Sequence, residues 1–324
     1  MLTILVVGEL KNGQIRKSTL EVVSAAAKMA ETTSARVVAL LISAVAADTT
    51  PLARCGADQV LIARADELAY YHPDYYKQAV LYAVERTGAG LVLFSASNTG
   101  KDLAPRVAGG LNSAYMSDCT EVEFHGEQVL VRKPLFAGKV LGRFLLSGEI
   151  KCVSIRPGVL EVVSLRPDAA SVEEAIGVPL PLPRIRLLRS GTSTAAKLDV
   201  ADAEIIVTGG RGLRAAENFT LLEELANSLG AAVGATRAVV DSGWRPHSEQ
   251  VGQTGKVVSP KLYWIIGASG SIQHWAGMSG SRCIVAVNKD GNAPILQRAD
   301  YSIVGDLFEV IPALTAEIKK LSGQ

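Results

Sequence analysis

Short apolar runs alternate with amphipathic stretches through the first hundred residues. Residues 2–7 read as a strand, and 18–32 as a helix with Leu20, Val23, Ala27 and Ala30 on one face. Residues 37–42 and 59–62 read as further strands, 74–86 as a helix, 91–95 as a strand and 100–111 as a helix. The strand runs are continuous Val, Ile and Leu without polar alternation, which predicts a parallel sheet covered by helices on both faces.

The pattern changes near Asp118. From there to about residue 165 strands follow one another without helices, at 120–124, 128–136, 139–146, 151–156 and 160–165. His125–Gly126 and Ala137–Gly138 supply turns, and the whole predicts an antiparallel addition to the first sheet. Beyond Arg166 the chain is irregular, and Pro179, Pro181 and Pro183 alternate as in an extended connector over about 167–188. A second alternation follows, with strands at 204–208, 262–266, 283–287 and 301–304 and helices at 219–229 and 306–321. Leu221, Leu222, Leu225 and Leu229 line the first of these helices; Leu307, Val310, Leu314, Ile318 and Leu321 line the second. The expected fold class is α/β: an N-terminal Rossmann-like α/β domain with an antiparallel β addition, residues 1–188, then a smaller Rossmann-like, doubly wound domain, residues 189–324.

Composition agrees. The 324 residues suffice for two domains of roughly 150 each. Hydrophobic residues make up 48% and aromatics only 5%, which suits helices on a parallel sheet better than a sandwich. Lys and Arg number 33 against 32 Asp and Glu, so neither the basic face of a nucleic-acid binder nor a polybasic membrane anchor is expected. Cys55, Cys119, Cys152 and Cys283 are far apart, mark no cluster or zinc site, and are expected as buried free thiols. No leader and no run of ~18 apolar residues is visible. The expectation is a soluble protein, cytoplasmic if bacterial, in the mitochondrial matrix if a processed eukaryotic chain.

Candidate chemistry gathers where the strands of the second domain end. One strand runs into Gly209, Gly210, Arg211 and Gly212, and another into Gly267, Ser269, Gly270 and Ser271 followed by a helix. Between them lies the polar, Gly-flanked segment VGQTGK at 251–256. Ligands of open α/β sheets bind at such carboxyl ends, and glycines let backbone N–H groups approach a phosphate. Neither turn is G-x-G-x-x-G or G-x-x-x-x-G-K-[ST], so residues alone leave a nucleotide site and plain tight turns equally open.

In order, TGGRGL (208–213), GATRAVVDSGW (234–244), QVGQTGKVVSP (250–260), LYWIIGASGSIQHWAGM (262–278), IVAVNKD (284–290) and ADYSIVGDLFEV (299–310) resemble the FAD domain of the electron transfer flavoprotein alpha-subunit family. The first domain resembles it in architecture and in stretches such as VLFSASNTGKDLAPRVA (93–108). Trp264 with Ile265 departs from the smaller or aliphatic residues usual in that strand, which bears on core packing. The resemblance implies Arg211 near the phosphate end of FAD, Thr236 as a phosphate hydrogen-bonding hydroxyl, and Arg237 beside the isoalloxazine ring, favouring reduced flavin. It implies Val251, Gly252, Gln253 and Thr254 in the loop along the ring edge, with the Thr254 hydroxyl at N5. Ser269, Gly270, Ser271, Ile272, Gln273 and His274 are implied around the ribityl chain and ring, and Asn288, Asp306 and Leu307 at the adenosine end.

Three of these residues have ordinary readings as well. His274 is implied as a donor to negative charge at N1 and O2, tuning one-electron transfer, whereas a lone histidine is more often structural. Arg237 has a rival reading as a solvated ion pair, and Asp306 as the N-cap of the last helix, a role that can hold together with a cofactor contact. His72, His125 and His247 are expected to be structural or surface groups.

The implied activity is electron carriage without substrate turnover. One FAD per chain is implied, together with a beta subunit that completes the heterodimer and carries AMP or a second FAD. Acyl-CoA dehydrogenases and other flavoprotein dehydrogenases would donate, as in fatty acid beta-oxidation, and a membrane quinone oxidoreductase would accept. The other readings are the electron-bifurcating or nitrogen-fixation-associated branch of the family, a self-contained oxidoreductase, and a nucleotide-binding sensor. No Ser/His/Asp or Cys/His arrangement favours an enzyme.

Overall fold

The computed structural model describes residues 2–136, 138–188 and 198–321. Contacts divide the chain into two compact units, 1–135 with 139–193 and 136–138 with 194–324. The boundary expected at 188/189 abuts residues 189–197, which with Ala137 of the expected second turn lie outside the described residues.

The first unit runs β1 (Thr3–Val7), a small hairpin of β2 (Leu10–Lys11) and β3 (Gln14–Ile15), α1 (Lys17–Thr33), β4 (Arg36–Ser43), α2 (Thr50–Arg54), β5 (Gln59–Arg64), α3 (Pro73–Thr87), β6 (Leu91–Ser95) and α4 (Asn98–Leu111). It continues with β7 (Ala114–Cys119), β8 (Glu121–His125), β9 (Gln128–Leu135), β10 (Val140–Leu146), β11 (Lys151–Ile155) and β12 (Glu173–Ile176). Seven strands form one sheet in the order β12-β5-β4-β1-β6-β11-β7, every neighbouring pair parallel. The pleat sends alternate residues of β1 to opposite faces. Ile4 and Val6 pack with Val22, Val23 and Ala26 of α1, while Leu5 and Val7 pack with Ala79 and Val80 of α3 and Leu103 and Val107 of α4. Burial on both faces explains the continuous apolar runs.

The expected antiparallel addition is present, and its details differ from expectation in three places. Strands β8, β9 and β10 form a separate three-stranded sheet, in the order β10-β9-β8, and are not an extension of the first. Residues 151–156, expected within the antiparallel set, supply β11, which enters the main sheet parallel between β6 and β7. Residues 160–165 are not a strand. There the Val163 N–H and C=O are taken by Ser24 Oγ of α1, at 3.0 and 3.2 Å, so a hydroxyl substitutes for a strand partner. The connector also hides a strand: β12 pairs with β5, and Glu174 anchors it through Gln59 Nε2 at 2.6 Å and through Arg86. Its sequence, EEAI, has no strand-like composition.

The second unit holds β13 (Ile205–Gly209), α5 (Phe219–Leu229), β14 (Ala232–Ala235), α6 (Arg237–Asp241), β15 (Leu262–Ile266), α7 (Ile272–Met278), β16 (Ile284–Asn288), β17 (Tyr301–Val304) and α8 (Leu307–Leu321). Its five strands are parallel in the order β14-β13-β15-β16-β17. Leu222 and Leu225 of α5 and Ile311 of α8 pack with Val207, Ile266 and Val287 on one face. Val251, Tyr263, Ile265 and Met278 fill the other. The order reverses between β13 and β15, and a crevice opens at the carboxyl ends there. Among the described residues no helix is long and apolar enough to cross a membrane.

One charged contact pins the bend at the end of β7. Asp118 has φ +57 and receives two hydrogen bonds from the buried Arg156, at 3.0 and 2.7 Å. Arg156→Ala leaves that carboxylate unpaired and is expected to lower the unfolding free energy by about 3 kcal/mol in urea titration. A loss under about 1 kcal/mol, the level of an exposed pair, would contradict this account.

Candidate functional site

Gly209 of β13 lies opposite Ile266 of β15, so the two glycine-rich turns leave the sheet together. The Gly210 N–H donates to the Ile266 carbonyl at 2.9 Å, and the Gly212 N–H to the Gly267 carbonyl at 2.8 Å. A Cβ at either glycine would sit 2.4 or 2.7 Å from the Gly267 oxygen, so the turns touch backbone to backbone. Gly267 itself has φ +63, a conformation that favours glycine.

Residues 250–256 form a third wall. The Val251 N–H donates to the Ala235 carbonyl at 3.0 Å, the Gly252 N–H to Lys256 at 3.1 Å, and the Lys256 N–H to Gln250 at 2.8 Å. The closed loop carries Gln253 and Thr254 at its exposed tip. Helix α7 supports it from below: the Gln253 N–H donates to the Gln273 carbonyl at 2.8 Å, and a Cβ on Gly277 would lie 2.4 Å from Gly252 Cα.

These walls enclose a cleft of about 530 Å³, within the range of small-molecule sites. Arg211, Thr236 and Arg237 line one side of it, with Val251, Gly252, Gln253 and Thr254 along the loop. Ser269, Gly270, Ser271, Gln273 and His274 complete it. Four expected residues are not brought there. Ile272 is 49% exposed outside the lining, and the Asn288 amide closes the turn after β15 by donating to the Ala268 carbonyl at 2.9 Å. Leu307 is buried in the core, and Asp306 accepts from the Phe308 N–H at 2.9 Å, the capping geometry that was its alternative reading.

Local chemistry sharpens several assignments. Thr236 occupies the N-cap position of α6 without capping through its side chain, so its hydroxyl is not spent on the helix. Arg237 opens α6 and is two-thirds exposed, 3.3 Å from Asp241 one turn on. Ser271 spends its hydroxyl on capping α7, accepting from the His274 N–H at 3.4 Å.

The donor role expected of the His274 ring is not open to it in this structure. Its Nδ1 lies 3.0 Å from the Val251 carbonyl, which can only accept, so Nδ1 carries the proton. Nε2 is then the acceptor for the Tyr263 hydroxyl at 3.1 Å. Burial lowers the imidazole pKa to about 4, and it pushes the Tyr263 phenol far up. The ring is a neutral clasp between loop and sheet.

Gly267, expected in the glycine-rich turn, lines the cleft as well, whereas sequence reasoning missed Gln250, Ala238, Asp241 and Ala268, which also line it. Asp241 was detectable as the carboxylate four residues beyond Arg237 on a short helix. The rival enzymatic readings gain nothing: all four cysteines are free, and burial raises the thiols of Cys119 and Cys152 to about 12 and about 11, far from nucleophilic. Among the described residues no cluster of His, Cys, Asp and Glu could hold a metal.

Comparison with known proteins follows the same division. Residues 199–279 match the family described as Electron transfer flavoprotein FAD-binding domain, and residues 4–181 the one described as Electron transfer flavoprotein domain. The Electron transfer flavoprotein subunit alpha of Bacillus subtilis (strain 168) is 39% identical over 320 residues, 98% of each chain. Protein FixB of Clostridium saccharobutylicum is 38% identical over 322 residues, 98% of this chain and 96% of its own. The mitochondrial subunit alpha of Oryza sativa subsp. indica is 42% identical over 275 residues, 81% of this chain and 74% of its own.

The clasp makes the protein acid-sensitive in a defined window. Below about pH 6.5 the unfolded chain protonates this imidazole, whereas the folded one resists down to about pH 4. Stability is therefore complete above pH 6.5 and declines toward pH 4, by up to about 3 kcal/mol. Urea titrations of the protein and of His274→Gln across that window should diverge in this direction; parallel curves would remove the clasp. Gly277→Ala is expected to displace the 250–256 loop and cost about 1–3 kcal/mol, with the thermal midpoint falling accordingly.

Proposed function

The chain belongs to the electron transfer flavoprotein alpha-subunit family, and on that premise we propose that the cleft between β13, β14 and β15 holds its FAD, one per chain. The protein carries the FAD-binding domain of that family, is an electron carrier flavoprotein, and as an alpha subunit implies a beta-subunit partner. The observation that carries the placement is the meeting of three separate glycine-built polar segments around one cleft of about 530 Å³.

The donor set fits an extended, polar-ended cofactor. Arg211 and the turn bearing Ser269 and Gly270 would hold the phosphates, where small residues leave the backbone accessible. The unspent Thr236 hydroxyl would add a hydrogen bond, and the exposed Arg237 guanidinium would favour negative charge nearby. Gln253 and Thr254, on a loop fixed to α7, would border the ring. When bound, FAD supplies the redox chemistry. His274 contributes by holding the Val251 end of that loop, and Asn288 by fixing the turn after β15.

On this reading the chain receives electrons from acyl-CoA dehydrogenases and other flavoprotein dehydrogenases and passes them to a membrane quinone oxidoreductase, in the cytoplasm if it is bacterial and in the mitochondrial matrix if it is a processed eukaryotic chain. The beta subunit carries AMP, and residues 189–324 form the FAD domain. The near-equal identities to a subunit alpha and to a protein named FixB keep a second reading in play, the bifurcating or nitrogen-fixation-associated branch, in which the partner carries a second FAD.

Co-expression with the beta subunit is expected to give a yellow heterodimer, and nucleotide extraction should return one FAD with AMP for the first reading or two FAD for the second. A colourless, flavin-free complex would sink both. Arg237→Ala in the same heterodimer should weaken FAD binding roughly tenfold, about 1.4 kcal/mol, and move the flavin midpoint potential to more negative values.

A further inference from the structure

Gln250 lines the cleft but has no part in the cofactor reading above. It is only 2% exposed, although the Thr254 it touches is open to solvent. Its backbone is fixed on both sides, the N–H donating to the His247 carbonyl at 3.0 Å and the carbonyl accepting from the Lys256 N–H at 2.8 Å. A Cβ on Gly255 would sit 2.4 Å from that carbonyl, so the loop closes over Gln250 only because residue 255 lacks a side chain. From this fixed base the Gln250 Nε2 donates to Thr254 Oγ1 at 2.9 Å.

We propose that Gln250 is a positioning residue that sets the direction and the hydrogen-bonding sense of the Thr254 hydroxyl in the cleft. The proposal rests on the FAD reading. A hydroxyl on an exposed loop tip rotates freely, and ordering it costs entropy at the moment of binding. Held by a buried amide, it is ordered beforehand. Accepting from Nε2 leaves the Thr254 proton unclaimed, so the hydroxyl faces the cleft as a donor, suited to the unprotonated N5 of oxidised flavin. A primary amide has two faces. Turned over, Gln250 presents Oε1, takes the Thr254 proton, and leaves the hydroxyl oxygen as an acceptor, suited to a protonated N5. One amide and one hydroxyl thus serve both protonation states of the ring edge without backbone movement.

The test is a double-mutant cycle in the intact heterodimer, stripped of cofactor and titrated with FAD or with 5-deaza-FAD, which replaces N5 by a carbon. The native protein should prefer FAD by roughly tenfold, the discrimination of one hydrogen bond. Thr254→Val should abolish the preference. Gln250→Met, similar in volume but without a donor, should cut it at least threefold, and should change nothing further when added to Thr254→Val. If Gln250→Met fails to fold, Gln250→Glu keeps the shape and, accepting only, should likewise lose the preference. An unchanged preference in the Gln250 variants, or a loss of equal size with and without Thr254, would overturn the proposal and leave Gln250 as a buried structural amide. A native heterodimer that binds neither flavin would instead refute the cofactor reading itself.

Discussion

Backbone approaches backbone without intervening side chains at several places in the second unit, and the cleft depends on two of them in particular. Gly210 and Gly212 lie against Gly267, and Gly277 lies against Gly252. A methyl group at Gly210, Gly212 or Gly277 would push apart elements that otherwise share a crevice. Side-chain packing alone could not draw the turn after β13, the turn after β15 and the loop at 250–256 so close, because each added carbon holds main chains apart. The glycines are thus a condition of the site's geometry before they are candidates for contact with a ligand.

His274 shows how such a condition is secured chemically. The ring joins a loop carbonyl to a strand tyrosine and is kept neutral by burial. A charged imidazole could not accept from Tyr263, so the arrangement and the protonation state enforce one another. Arg237, by contrast, stands two-thirds exposed at the cleft, paired with Asp241 one turn on.

Much of this was legible in the chain, and the failures have physical causes. Strands buried on both faces, such as β1 and β6, announce themselves as unbroken apolar runs, and α5 and α8 by their leucine stripes. β11 has the same local composition as the antiparallel strands before it, and only long-range pairing decides which sheet it joins. β12 was invisible because EEAI is held by Arg86 and Gln59, not by strand propensity. In the site, the three glycine segments were readable at once, since glycine there answers a steric need. Gln250 was not, because its importance lies in a partner four residues away on a closed loop. Asn288, Asp306 and Leu307 were named from resemblance; in the fold the Asn288 amide holds the turn after β15, Asp306 accepts from the first turn of α8, and Leu307 packs in the core.

The detour through β8, β9 and β10 also bears on how the first unit is made. β11 fills the place between β6 and β7 only after that whole excursion, and β12 completes the far edge still later against β5. A chain emerging from the ribosome holds β1, β4, β5 and β6 long before it can seal the sheet, so both flanks of a strongly apolar layer stay open in the interim. The growing protein is therefore most prone to stick to its neighbours when about half its length has been synthesised, and the residues that end this exposure are KCVSI of β11 on one flank and then EEAI of β12 on the other.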